Sequence, residues 1–117
     1  MQTIKEHTIQ KETKVQLGTP NKPLNNSITD KLIKQFEKNS NILEVYQYGL
    51  TKNGEFSIVI AFKLSNSSED AKKAIINAAQ DILEKETINQ LLDLFFIEDI
   101  EWYEKIINVE SSLLYKR

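Results

Sequence analysis

The feature that most constrains the fold is the dipeptide Asn53-Gly54, which separates two runs of strand-forming residues. Both residues tolerate the positive φ angles of a tight hairpin turn, so they predict that the flanking runs are adjacent antiparallel strands. The first run extends from Leu43 to Thr51 and the second from Phe56 to Leu64. The second run is the clearest strand in the sequence, because its side chains alternate between two faces. One face carries Phe56, Ile58, Ile60, Phe62 and Leu64, and the other carries Ser57, Val59, Ala61 and Lys63.

Two segments have the apolar periodicity of helices. Ser27 to Asp30 resembles a capping box with Asp in place of Glu, and the apolar residues that follow it predict a helix ending near Asn39-Ser40-Asn41. The Ser/Asn turn at Ser65 to Ser68 can begin a second helix, which we expect to run to about Lys85. The apolar stripe of this second helix consists of Ala71, Ala74, Ile75, Ala78 and Ile82.

The remaining elements are shorter. Val15 to Leu17 alternates before a loop that contains both prolines, and this predicts a short first strand. Leu91 to Ile97 fits either a helix or a buried strand, and we favour a strand because the segment is short and contains two phenylalanines. Asp99 to Asn108 has helical spacing and predicts a C-terminal helix, followed by a short apolar end. Residues 1–13 are polar and are interpreted as a flexible tail.

The order strand, helix, strand, strand, helix, strand is the ferredoxin-like pattern. It predicts an α+β domain with an antiparallel sheet, helices on one face of that sheet, and an additional C-terminal helix. The chain of 117 residues has the size of one domain, which we place at residues 14–117.

Composition excludes several functions. The net charge of -2 disfavours a general nucleic-acid binder, and the absence of cysteine removes disulfides, thiolate catalysis and cysteine metal sites. The longest apolar run, Ile58 to Phe62, is too short to cross a membrane, and the polar N-terminus lacks a secretory signal. The only histidine, His7, lies in the predicted tail. We therefore expect a cytoplasmic protein that has no cofactor, is not an enzyme, and binds neither nucleic acid nor membrane.

Carboxylates are the one chemically active group present in number. Glu98, Asp99, Glu101 and Glu104 surround Trp102 and Tyr103. Such a cluster can hold a metal, form an acid/base pair or meet a basic partner, but it is most often the solvated first turn of a helix. Among the functional alternatives we favour partner contact, because Trp and Tyr are enriched in protein interfaces.

Tyr46 and Tyr48 point to the same side of their strand, the side of Val59 and Ala61. In RNA-recognition modules, aromatic residues on such a face stack on bases. This sequence lacks the basic, glycine- and aromatic-rich motif of those modules. We favour the alternative that the two tyrosines are partly buried under the C-terminal helix.

Short motifs in this sequence resemble one known family. Val15-Gln16-Leu17-Gly18-Thr19-Pro20, with Pro23 and a helix after it, is similar to the opening of the SseB C-terminal domain, named for enhanced serine sensitivity. Leu43-Glu44-Val45-Tyr46 resembles that family's first hairpin strand, and Leu114-Tyr115-Lys116-Arg117 resembles its ending, although Leu114 stands where Phe is usual. The resemblance covers about Val15 to Arg117, without the N-terminal domain that often accompanies this one.

The resemblance implies a small, non-enzymatic bacterial domain, for which a plausible role is that of an immunity protein neutralising a co-encoded toxin. We therefore predict a protein-binding inhibitor of the immunity or antitoxin type. The alternative is a self-associating regulatory or structural module, for example a homodimer, and an enzyme that uses the carboxylates ranks third. The predicted partner-binding residues are Glu98, Glu101, Trp102, Glu104, Tyr46 and Tyr48.

Overall fold

The computed structural model describes residues 15–20, 22–86 and 92–117, and these form five strands and three helices around one sheet. The predicted tail at residues 1–13, with His7, lies outside the described residues. The strands are β1 (Val15–Gly18), β2 (Ile42–Lys52), β3 (Glu55–Leu64), β4 (Leu92–Phe96) and β5 (Leu113–Lys116). The helices are α1 (Asn26–Glu37), α2 (Glu69–Leu83) and α3 (Ile100–Ile107).

The β2–β3 hairpin is the centre of the sheet and confirms the prediction from Asn53-Gly54. Lys52 pairs with Glu55 in antiparallel register, and the two turn residues have φ angles of 52° and 82°. These are the left-handed values that a two-residue hairpin turn requires. The segment that could have been helix or strand is also confirmed as a strand, β4.

The α+β class is confirmed, but the sheet is mixed rather than wholly antiparallel. The strand order is β1-β2-β3-β4, with β5 also paired to β2, and β3 and β4 run parallel. Parallel neighbours need a long crossover, and α2 supplies it by returning the chain to the end of the sheet where β3 began. This β3-α2-β4 unit places its two strands side by side, whereas the split arrangement of the ferredoxin-like pattern separates them.

Helices cover both faces of the sheet, because β3 directs alternate side chains into two cores. Ile58, Ile60 and Phe62 face the first core, beneath α1 and α2, where the ring of Phe62 meets that of Phe36 edge-on at 5.0 Å. Val59 and Ala61 face the second core, beneath α3. The predicted alternation in this strand is therefore confirmed, and the helix predicted from Asp99 to Asn108 lies on the face opposite the other two.

The sequence did not predict β5, because its four residues look like an irregular apolar end and its partner is distant in the chain. β5 and β1 share one edge of β2: Leu113 lies opposite Tyr46, and Leu17 lies opposite Leu50. Each of these two short strands pairs with a different part of the longer β2.

Arg117, just after β5, joins this edge to the end of α1. Its guanidinium donates hydrogen bonds to the backbone carbonyls of Glu37, Asn39 and Ile42 at 3.1, 2.8 and 3.0 Å. The last carbonyls of a helix lack partners within the helix, so this side chain completes the C-terminal end of α1.

Two details of the helices differ from the predictions. The N-cap of α1 is Asn25 rather than Ser27, and its side-chain oxygen accepts a hydrogen bond from the Ser27 amide at 2.8 Å. In α2 the buried residues are Lys72, Ile75 and Ala79, while Ala74 of the predicted stripe is exposed. Burial of Lys72 is consistent with its amphipathic nature: the stem is buried, and the amine lies 2.8 Å from the carboxylate of Glu98.

Candidate functional site

Tyr46 and Tyr48 lie on β2 beneath α3 and are almost fully buried. Their exposed fractions are 5% and 1%. The interpretation that they pack under the C-terminal helix is therefore confirmed. Because α3 covers them, they are not available to stack on bases or to contact a partner in this structure.

Trp102 fixes α3 to the sheet. Its ring meets Phe95 at 6.3 Å in an edge-on contact, and the amine of Lys105 lies 5.2 Å from its centroid. The indole also faces the buried hydroxyl of Tyr48. Burial, followed by the charge of Asp93, raises the pKa of Tyr48. The indole Nε1 of Trp102 is buried as well and has no hydrogen-bond partner among the described residues. Trp102 is thus half-buried, with its ring packed on the sheet and part of the side chain accessible.

The four carboxylates predicted as one cluster have different environments. Glu98 pairs with Lys72, and Asp99 is the N-cap of α3, where its side chain accepts a hydrogen bond from the Glu101 amide at 2.9 Å. Glu101 and Glu104 are exposed, and neither has an ion pair within the described residues. Of these four carboxylates, Glu101 and Glu104 are the two that remain available for a basic partner.

A buried polar cluster, which sequence reasoning missed, joins β2, β3 and α3. The carboxylate of Glu44 accepts hydrogen bonds from the hydroxyls of Tyr46 and Tyr103, the latter at 2.7 Å. The amine of Lys63 lies 3.8 Å from the other carboxylate oxygen and 4.3 Å from the Tyr103 ring centroid. Alternation along β2 placed Glu44 and Tyr46 on one face, but only the tertiary fold brings Tyr103 above them.

The electrostatics of this cluster favour one protonation state. Burial alone would raise the pKa of Glu44, but the two tyrosine hydrogen bonds and the charges of Lys63 and Lys116 lower it below its ordinary value. Burial and the neighbouring Glu44 carboxylate raise the pKa of Tyr46. The tyrosine is therefore a proton donor and the glutamate a charged acceptor at neutral pH, so the cluster holds α3 on the sheet.

Large apolar side chains are exposed around this cluster. Ile100, Ile107 and Leu113 are 67%, 45% and 51% exposed. Ile100 and Ile107 lie one turn before and one turn after Tyr103 on α3, and Leu113 lies opposite Tyr46, against which the Tyr103 ring packs. We call the surface formed by Ile100, Glu101, Glu104, Ile107 and Leu113 the α3–β5 patch.

Ile100, Tyr103, Ile106 and Ile107 have the helical spacing that predicts the final helix, and such spacing usually marks the side of a helix that faces the core. The structure buries only Ile106 completely among the residues of α3. The sequence does contain a signal for this exposure, which is the width of the apolar surface of α3. Five of its eight residues are apolar or aromatic: Ile100, Trp102, Tyr103, Ile106 and Ile107. A helix lying on a sheet buries one stripe, so a surface this wide must leave some of these residues exposed.

The described residues were compared with the requirements of a metal site and of a membrane-spanning helix. Within residues 15–20, 22–86 and 92–117, no three acidic or histidine side chains come close enough to hold a metal ion. None of the helices in these ranges has the length and hydropathy needed to span a membrane.

The architecture defines a small α+β domain with a five-stranded mixed sheet and helices on both faces. The model of one family, described as the SseB protein C-terminal domain, matches residues 9–109, and the chain belongs to this family. The match begins before Val15 and ends before Leu114, so the Tyr115-Lys116-Arg117 ending lies outside it. No curated protein and no solved structure matches the chain.

Proposed function

We propose that this protein is a non-catalytic protein-binding domain that uses the α3–β5 patch to occupy a partner protein and neutralise it. The observation that carries the proposal is the exposure of three large apolar side chains beside two carboxylates that form no ion pair with any described residue. Such a combination of apolar centre and charged rim is typical of protein interfaces.

The geometry of α3 favours one mode of binding. Ile100, Glu104 and Ile107 follow the i, i+4, i+7 spacing and share the outward face of the helix. Helices with this spacing dock into apolar grooves on partner proteins. The expected partner surface is an apolar groove with lysine or arginine side chains at its rim, opposite Glu101 and Glu104.

An inhibitor of the immunity or antitoxin type fits these features, because it acts by occupying its target and needs no catalytic group. We propose a toxin encoded beside this protein as that target, and the cytoplasm as the place where the two meet. Bacterial origin is part of the same proposal.

Self-association is the second candidate, and one observation favours it. Phe56, at the tip of the β2–β3 hairpin, is 40% exposed, and its ring covers the backbone of Gly49. An exposed aromatic residue at the end of a hairpin offers an apolar contact for a second copy. This alternative predicts a stable homodimer without a dedicated partner.

A capture experiment with two matched variants distinguishes these candidates. The tagged protein is incubated with native host lysate, and bound proteins are identified by mass spectrometry. The double variant Ile100→Asp/Ile107→Asp should lose the partner, whereas Phe56→Asp, an apolar-to-acidic change at a distant exposed site, should retain it.

The captured protein is then tested by co-expression. Wild type and Phe56→Asp should restore growth of cells that express the captured protein, and the double variant should not. Capture of the same protein by all three forms would contradict the assigned surface. A homodimer that Phe56→Asp converts to a monomer, with no captured partner, would favour the second candidate instead.

A further inference from the structure

A second surface, distinct from the α3–β5 patch, lies between β1 and α3. The groove has a volume of about 570 Å³, which lies in the range of ligand-binding clefts. Its walls include Val15, Leu17, Trp102 and Val109, with Lys105 and Glu110 at its margins. The Thr19 hydroxyl donates a hydrogen bond to the backbone carbonyl of Glu110 at 3.2 Å and so joins β1 to the turn after α3.

The register of the sheet shows which backbone groups of β1 face away from β2. In a two-residue hairpin the residues that flank the turn, Lys52 and Glu55, exchange backbone hydrogen bonds, and bonding alternates along the strand from there. Thr51 and Gly49 therefore direct their backbone groups toward β1. The backbone N–H of Gln47 donates a hydrogen bond to the backbone carbonyl of Ser112 at 2.7 Å on this same edge of β2. This bond agrees with the alternation.

Gln16 and Gly18 lie opposite Thr51 and Gly49, so they form the hydrogen bonds with β2. The amide and carbonyl groups of Val15 and Leu17 must then point outward. Within the described part of the chain these outward groups have no hydrogen-bond partner. An edge with unpaired donors and acceptors is a template for another strand.

We propose that this groove binds an extended segment of a partner protein, which adds to the free edge of β1 as a further strand. Backbone hydrogen bonds to Val15 and Leu17 hold the segment, and alternate apolar side chains contact Trp102 and Val109. Charge also selects the occupant. Lys105 is exposed and has no carboxylate partner among the described residues, so the segment carries an acidic side chain beside it.

This inference is independent of the α3–β5 patch. Lys105 and Trp102 face the groove, whereas Ile100 and Ile107 belong to the outward face of α3. The double variant Ile100→Asp/Ile107→Asp should therefore bind the extended segment as wild type does. If the proposal for one surface is contradicted, the proposal for the other surface can still be tested.

The probe is a displayed library of random eight-residue peptides, selected on the full chain. We expect the enriched peptides to alternate apolar and polar residues and to contain one acidic residue. A synthetic form of the most enriched peptide is then titrated into ¹⁵N-labelled protein. The amides of Val15 and Leu17 and the indole of Trp102 should shift most.

Two pairs of variants test the contacts. Val15→Pro removes one outward amide at the first residue of an edge strand, a position that tolerates proline, and should weaken binding about tenfold. Val15→Thr keeps the amide and the branched side chain and should bind as wild type does. Lys105→Glu should reverse the preference for acidic peptides, while Lys73→Glu on exposed α2 should leave it unchanged.

Three outcomes would overturn the inference. The first is the absence of any enriched peptide, and the second is equal affinity for wild type and Val15→Pro. The third is a set of shifted amides confined to α1 and α2 or to a contact between two copies of the chain.

Discussion

The two faces of the sheet are built differently. The face under α1 and α2 is covered by two helices, and its buried side chains form an apolar core that includes Leu32, Phe36 and Ile75. The face under α3 is covered by one helix of eight residues, and it contains the cluster of Glu44, Tyr46 and Tyr103. Apolar packing therefore stabilises the first face, whereas the second combines packing with directed polar contacts.

The difference shows which part of this small domain leaves surface for binding. A helix that covers only part of a sheet leaves apolar and charged side chains at its margins, and both proposed binding surfaces lie at the margins of α3. The polar cluster keeps that helix in a fixed position, so these surfaces have a defined shape.

The largest expected effect concerns the first face. Phe36→Ala should lower the free energy of unfolding by about 3–5 kcal/mol, because the ring is buried against Phe62 and its loss leaves a cavity. Chemical denaturation at neutral pH measures this change. Phe36→Leu, which keeps much of the volume, is the control and should cost clearly less. If the two losses were equal, cavity formation would not explain the effect.

The second prediction concerns the polar cluster under α3. Glu44→Gln should lower the free energy of unfolding by about 1–2 kcal/mol at neutral pH, because the charged acceptor of two tyrosine hydroxyls is lost. The pKa of Glu44 in the folded protein lies below its ordinary value of 4.5. Its stabilising contribution is therefore complete above that pH and is lost as the pH falls through the folded-state pKa.

The measurement is chemical denaturation of wild type and Glu44→Gln over a series of pH values. The gap between the two proteins should narrow as the pH falls below 4.5. The matched control is Glu37→Gln, an exposed glutamate whose side chain makes none of these contacts. A gap that stays constant with pH would show that the charge of Glu44 does not stabilise α3.

The third prediction concerns Arg117, which joins the edge of the sheet at β5 to the C-terminal end of α1. Arg117→Lys should cost about 1 kcal/mol, because an ammonium group cannot reproduce the fork that reaches three backbone carbonyls. Thermal unfolding measures the loss. Lys116→Arg, at the neighbouring exposed position, should leave the transition unchanged. Equal stability of Arg117→Lys and wild type would mean that charge alone is sufficient there.

The smallest expected effect is on the α3–β5 patch. Ile100→Asp should change the free energy of unfolding by less than about 0.5 kcal/mol, because its side chain is mostly exposed. Ile106→Ala, on the buried face of the same helix, should cost about 2–5 kcal/mol. This pair sharpens the comparison within a single helix, and a large loss for Ile100→Asp would mean that the exposed patch is needed for folding.

Much of the fold could be predicted from the sequence, because the decisive signals are local. Asn53-Gly54 defined the hairpin, alternation defined β3, and periodicity located the three helices. The parallel pairing of β4 and the existence of β5 could not be predicted in this way. Both depend on contacts between distant segments, and a strand as short as Leu113–Lys116 carries little pattern of its own.

The candidate site was predicted less completely, for a related reason. The acidic residues near Trp102 were identified, yet the structure pairs Glu98 with Lys72 and uses Asp99 as a helix cap. Lys72 is distant from Glu98 in sequence, so no local pattern indicates their ion pair. The meeting of Tyr103 with Glu44 is equally invisible until α3 is placed on the sheet.

The shared edge of β2 also has a consequence for the time course of folding. The β2–β3 hairpin joins residues that are close in sequence, whereas the Arg117 side chain reaches a carbonyl 75 positions away at Ile42. Local pairs form in microseconds, but contacts of long sequence separation must first overcome the entropy of closing a large loop. We therefore expect the hairpin to form early, and we expect the docking of β5 that completes the end of α1 to belong to the slow, late part of folding.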